Sequence, residues 1–202
     1  MNITTLFFDV GGVLLTNGWD HVSRETAAET FGYSYEEAEA RHTEQVHDFE
    51  CGHISLSEYL DRVLFNEPRS FTVEEYVNFM KELSQPYTEN LELLRGLAES
   101  GKYLLATINN ESLELNEYRI NTYRLHEFIS LFFSSCNMGV MKPDCEIFRR
   151  VLRITRRQGQ ECLFVDDRIE NVEAAQSCGL QAAFVKHPSD LPQIFKEAGI
   201  RA

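Results

Sequence analysis

The chain has 202 residues, of which 43% are hydrophobic and 25% charged, with a formal net charge of -13. That length suits one core carrying at most a modest insertion, and the composition is that of an ordinary globular domain. The acidic balance speaks against nucleic acid and anionic membranes as partners.

The amino terminus, MNITTLFFDVGGVLL, is apolar but has no basic leader segment and is interrupted by Asp9. It reads as a buried strand over Thr5 to Phe8 and not as a signal peptide. From Asn17 to Pro86 the chain is polar, rich in Glu and aromatic residues, and periodic in the helical sense, for example over Glu36 to His47 and Ser55 to Leu64. Residues 17–86 are therefore expected to form a small all-helical insertion, with 1–16 and 87–202 as the core.

After the insertion, strand and helix alternate. Helical spacing over Glu89 to Ser100 is closed by Gly101, and a strand follows over Tyr103 to Ile108. A weaker apolar run lies at Leu131 to Phe133. A helix over Cys145 to Ile154 has Asp144 as its candidate N-cap, and a strand spans Cys162 to Val165. A helix from Asn171 to Cys178 stops at Gly179, Ala182 to Val185 is a further strand, and Asp190 to Ala198 is the last helix. Short, continuously apolar strands between helices predict an α/β fold with a doubly wound parallel sheet covered on both faces. No run is long enough to cross a membrane.

The five cysteines form no CxxC pair and are odd in number, which speaks against a disulfide framework or a zinc site. Their usage fits a reducing cytoplasm.

Ligands of such sheets bind outside the carboxyl ends of the strands, so polar residues there carry the interest. Asp9 ends the first strand and precedes Gly11 and Gly12; its plainer role is to cap a turn. Asp166 and Asp167 end another strand. Adjacent carboxylates are unfavourable without a cation nearby, although one of them can cap a helix. Three carboxylates with no His or Cys cluster point to a hard cation, and magnesium is the natural choice. Lys142 can offset repulsion among them and hold a transferring phosphoryl group, though a lone lysine is usually a surface charge. Asn109, Asn110 and Ser112 follow the second strand, where they can grip a phosphate oxygen or simply cap the next helix.

In order and spacing, the segments FFDVGGVL, LLATINNES, VMKPDCEIF and LFVDDRIENVEAA resemble the four motifs of the haloacid dehalogenase superfamily. They are similar in particular to its phosphatase-like members, with a Rossmann-like core and a helical cap inserted after the first strand. The resemblance covers nearly the whole chain. It implies that Asp9 is a nucleophile forming an aspartyl-phosphate and a magnesium ligand. It makes the Gly11 carbonyl a second ligand and Asp167 the principal carboxylate of the last motif, with Asp166 bound directly or through water. Lys142 would steady Asp9 and the phosphoryl oxygens. Asn109 stands for the usual Ser or Thr that binds phosphoryl, with Thr107 as a rival, and the Asn110 amide adds a contact.

Phosphatases of this superfamily carry a second aspartate where this chain has Gly11. Glycine cannot protonate a leaving alcohol or activate water, help that is typically worth about two to four orders of magnitude in rate. Its loss favours substrates with good leaving groups. His21, His47 and Glu50 lie in the insertion, and no spacing selects one of them as a replacement acid. The expected function is a magnesium-dependent hydrolase of a small phosphorylated metabolite. The alternatives are a catalytically weak phosphometabolite- or partner-binding protein and, third, a carbon–halogen hydrolase.

Overall fold

Thr5–Phe8 forms β1, fully buried and paired on both sides, in the computed structural model, which describes residues 2–201. Four helices follow: α1 (His21–Phe31), α2 (Tyr35–Glu50), α3 (Leu56–Val63) and α4 (Val73–Glu82). Each starts on a side chain that satisfies an orphan backbone amide: Asp20, Ser34, Ser55 and Thr72 accept from Ser23, Glu37, Glu58 and Glu75. Ser55–Glu58 and Thr72–Glu75 complete reciprocal capping boxes.

The chain continues through α5 (Thr88–Ser100), β2 (Leu104–Asn109), α6 (Leu113–Thr122), β3 (Leu131–Ser134), the single turn α7 (Ser135–Met138) and α8 (Cys145–Thr155). It ends with β4 (Cys162–Asp166), α9 (Ile169–Ser177), β5 (Gln181–Phe184) and α10 (Leu191–Glu197). The strands form one parallel sheet in the order β3-β2-β1-β4-β5. The sheet is thus wound to one side of β1 and then to the other, which makes the carboxyl end of β1 the switch point where ligands bind. Phe8 is level with Thr107 on one side and Val165 on the other, so the residues after β1, β2 and β4 emerge together.

Strand alternation divides the core between the two faces. Leu6, Phe8, Leu105 and Val165 pack with Leu91, Leu94 and Leu97 of α5 and Phe195 of α10. Phe7, Ala106, Ile108 and Phe164 pack with Ile147, Phe148 and Val151 of α8 and Ala175 of α9. Each buried Leu, Ile, Val or Phe side chain among them contributes about 1.5–3 kcal/mol of transfer free energy. The helices between β1 and α5 have their own apolar cluster, built on Phe49, Tyr59, Leu60, Tyr76 and Met80.

The apolar run at Ala182 to Val185 reads as buried, but β5 is an edge strand: Ala182 and Ala183 are half-buried, and Gln181 and Phe184 exposed. Among the described residues, no helix is long and apolar enough to cross a membrane.

Candidate active site

Asp9 leaves β1 with its backbone amide still bonded to the Val165 carbonyl at 2.9 Å, so the sheet fixes its position. Its own Oδ1 accepts from the Val10 amide at 2.7 Å. Gly12 then turns the chain with φ of +70°, a conformation that favours glycine. A Cβ on Gly12 would lie 2.1 Å from Asp167 Oδ2, so the bare backbone here is what lets Asp167 close in.

Asp9, Asp166 and Asp167 each present a carboxylate oxygen within 4.8 Å of the others. Lys142 binds two of the three, with Nζ 3.1 Å from Asp9 Oδ1 and 2.6 Å from Asp166 Oδ2. Burial opposes the lysine's charge, but Asp166 and Asp9 outweigh it and hold the ammonium above its ordinary range. One cation does not balance three carboxylates. Burial, with the charges of Asp166 and Asp167, pushes the Asp9 carboxyl up to about 8 against the pull of Lys142. Burial and Asp166 likewise raise Asp167.

The two adjacent aspartates differ. Asp166 is fully buried, and both its oxygens are engaged: Oδ1 by the Arg168 amide and Asn171, Oδ2 by Lys142 and Asn171. Asp167 lines the cavity, and its Oδ2 has a long contact, 3.4 Å, from Asn17 Nδ2. Asp166 thus anchors Lys142, while Asp9 and Asp167 keep oxygens facing open space.

The cavity above these groups measures about 130 Å³. Asn110 reaches it and Asn109 does not. The Asn109 amide is consumed inside the fold, accepting from Ser134 Oγ at 2.9 Å and donating to Asn116 Oδ1 at 3.2 Å. Thr107 does not line the cavity either; its hydroxyl is fully buried and unpartnered. Asn110 pairs reciprocally with the Lys142 backbone, accepting from its N–H and donating to its carbonyl, both at 2.8 Å.

Four cavity residues carry no local sequence signal. Asn17 lies over Gly11, its Oδ1 2.7 Å from where a Cβ on that glycine would sit. Glu111 and Arg119 form a buried ion pair at 2.7 Å, and Arg119 also donates to the Thr16 carbonyl, tying α6 to the loop after β1. Glu50, the last residue of α2, reaches the same space. Neither His21 nor His47 lines it.

A family model described as haloacid dehalogenase-like hydrolase matches residues 3–179. A sesquiterpene phosphatase of Aspergillus oryzae is 32% identical over 96 residues, 48% of this chain and 48% of that protein. A flavin mononucleotide hydrolase of Arabidopsis thaliana is 28% identical over 154 residues, 76% of this chain and 61% of that protein. The matched region is thus less than two thirds of either relative's length. A haloacid dehalogenase family enzyme of Bacteroides thetaiotaomicron, solved with magnesium and inorganic phosphate, shares the fold with a TM-score of 0.83 and 22% identity, over 96% of this chain and all of that one.

Proposed function

The chain belongs to the haloacid dehalogenase-like hydrolases, and on that premise we propose that it hydrolyses a small phosphorylated metabolite with magnesium, through a phosphoryl group carried on Asp9. One observation carries the proposal: a buried lysine joins two of three converging carboxylates at the switch point of the sheet, and the negative charge left over faces a cavity.

The residues present fit a magnesium ion. The donors are all oxygens, and the negative charge exceeds what Lys142 neutralises. Asp9, Asp167 and the Gly11 carbonyl would hold it, with Asp166 adding charge from behind while its oxygens hold Lys142. The ion supplies Lewis-acid polarisation of the phosphoryl oxygens and offsets the charge that develops on them. A protein of this fold holds magnesium and phosphate together, which supports the assignment.

The chain's own groups then do the following. The free oxygen of Asp9 attacks phosphorus, and the bond to the leaving oxygen breaks. Lys142, held by Asp166, donates to the equatorial oxygens as charge spreads over them. The Asn110 backbone amide contributes there, its loop fixed to Lys142 by the paired amide bonds. Water then attacks the phosphoryl group on Asp9, and inorganic phosphate leaves. A cavity of about 130 Å³ suits a phosphoryl group and a few waters, which supports a small substrate. The five cysteines are all free thiols, which supports a cytoplasmic location.

Phosphate release from a panel of phosphoesters tests the reading. Turnover is expected with magnesium, and is expected to disappear in chelator and in Asp9→Asn. A wild type that turns over no ester, or turnover indifferent to Asp9→Asn, overturns it. Tight phosphate binding without turnover would instead mark a binding protein.

A further inference from the structure

Hydrolysis at Asp9 needs a proton for the leaving alcohol and a base for the incoming water, and Gly11 supplies neither. The space above Gly11 is taken by the Asn17 side chain, and a carboxamide has no acidic proton to give. The remaining ionisable groups on the cavity wall are nearly all committed. Asp9 and Asp167 belong to the carboxylate cluster, and Lys142 is bound within it. Asp20 caps α1, accepting from the Ser23 amide at 2.9 Å and hydroxyl at 2.7 Å. Glu111 is paired with Arg119 at 2.7 Å. Arg168 presents a guanidinium, a hydrogen-bond donor and not a general acid.

Glu50 is left. Among the described residues its carboxyl has neither a hydrogen-bond nor an ion-pair partner, and Glu50 belongs to the wall of the cavity that Asp9 also lines. Its backbone is fixed onto the core. The Glu50 carbonyl accepts from Ser135 Oγ at 2.6 Å, and Gly52, with φ of +73°, lies so close to Cys136 that a Cβ would meet its carbonyl oxygen at 2.3 Å. The end of α2 is thereby docked against α7, with Glu50 on the cavity wall.

We propose that Glu50 is the proton donor and acceptor of this reaction, in place of the aspartate missing at Gly11. The inference rests on the phosphatase reading above. As Asp9 attacks phosphorus and the ester P–O bond breaks, the Glu50 carboxyl passes its proton to the departing oxygen, giving the alcohol. The Glu50 carboxylate then takes a proton from water as the water oxygen attacks phosphorus. The bond to Asp9 breaks, phosphate leaves, and both side chains return to their starting states. The surroundings suit a group that must cycle. Burial and Glu111 raise its carboxyl, while Arg168, Arg24 and Lys142 lower it, leaving it at about 7. An acid poised near the working pH is the efficient one.

The test compares kcat/KM of the wild type and Glu50→Gln on an alkyl phosphate and on 4-nitrophenyl phosphate, with Asp9→Asn run in parallel. The leaving oxygen of the nitrophenyl ester needs no proton. The expected result is a loss on the order of 10² to 10⁴ on the alkyl ester and less than about tenfold on the aryl ester. The wild type's alkaline limb near pH 7 on the alkyl ester should vanish. Equal losses on both esters, no loss, an unchanged pH profile, or no alkyl turnover by the wild type overturns the proposal. If Glu50→Gln does not fold, Glu50→Asp should keep the limb and lower alkyl turnover selectively; an even loss on both esters counts against Glu50. Carbon-13 NMR of the metal-free protein gives a readout independent of turnover. The Glu50 carboxyl should titrate near 7, and a midpoint in the ordinary carboxylate range overturns the assignment. If turnover does not depend on Asp9, the phosphatase reading itself has failed. If it does, and Glu50→Gln shows no preference between esters, only the Glu50 assignment has failed.

Discussion

The Lys142 ammonium lies 2.6 Å from Asp166 and 3.1 Å from Asp9, and through it a fully buried carboxylate acts on the one that faces the cavity. Asp166 fixes the lysine, and the lysine fixes Asp9. Removing one member of a buried charge cluster leaves the others uncompensated, at a cost of about 3–5 kcal/mol. Lys142→Met is therefore expected to lower stability by that order, with magnesium restoring part of it by neutralising Asp9 and Asp167. Thermal unfolding with and without magnesium checks this. Turnover should fall on the order of 10²- to 10³-fold, as when one stabilising donor is deleted.

Gly11→Asp separates a lost acid from a relocated one. The new Cβ would meet Asn17 Oδ1 at 2.7 Å, the far end of a flexible side chain that can swing aside. In the wild-type background, where Glu50 already moves the proton, the expected gain on an alkyl ester is less than about tenfold. In the Glu50→Gln background, Gly11→Asp should recover most of the loss of about 10² to 10⁴. A large gain in the wild type with no recovery in Glu50→Gln contradicts this.

Gly52→Ala tests the docking of α2. A left-handed backbone costs a non-glycine residue about 1–2 kcal/mol, and the Cβ would also press on a backbone carbonyl that cannot rotate away. The end of α2 should lift from Cys136 and carry Glu50 with it. The expected outcome is a lower melting temperature and a loss of turnover greater on alkyl than on aryl esters.

Much of this was legible from local pattern. β1 runs over the residues that the apolar run marks, and Gly101 and Gly179 end their helices with φ of +64° and +90°. Asp144 caps α8 through the Glu146 amide. These features depend on neighbours in the chain, so the sequence carries them. Asn109 was not legible in the same way. A residue at the end of a strand can face either side of the sheet, and register sets Asn109 beside Ser134, which takes its amide. Thr107, two residues earlier, shares that strand face, so choosing between the two does not bring either into the cavity. Asn17 over Gly11 and Glu50 on the cavity wall depend on how the segment after β1 folds back on the core, and no spacing encodes that.

The helical segment also carries a pH signature. His42 is buried with Nδ1 2.8 Å from the Tyr59 hydroxyl, and burial, helped by Arg24, lowers its pKa to about 4. Between the unfolded value of about 6.5 and that folded value, the unfolded chain binds a proton that the folded chain does not. Stability from this residue is thus present above pH 6.5 or so and is lost as pH falls toward 4, with a slope of at most about 1.4 kcal/mol per pH unit. Glu50 is raised and contributes the opposite sign over part of the same window. Comparing urea unfolding of His42→Gln with the wild type at each pH isolates the histidine. The wild type should lose stability faster on acidification, and parallel curves would contradict the assignment.

The most direct test of the central claim is to quench the protein in acid during magnesium-supported turnover and map covalent phosphate by mass spectrometry. A phosphoryl group on Asp9, absent from Asp9→Asn together with phosphate release, is the predicted result. Phosphate release that continues in Asp9→Asn, with no phosphoryl group found on Asp9 in the wild type, would contradict it.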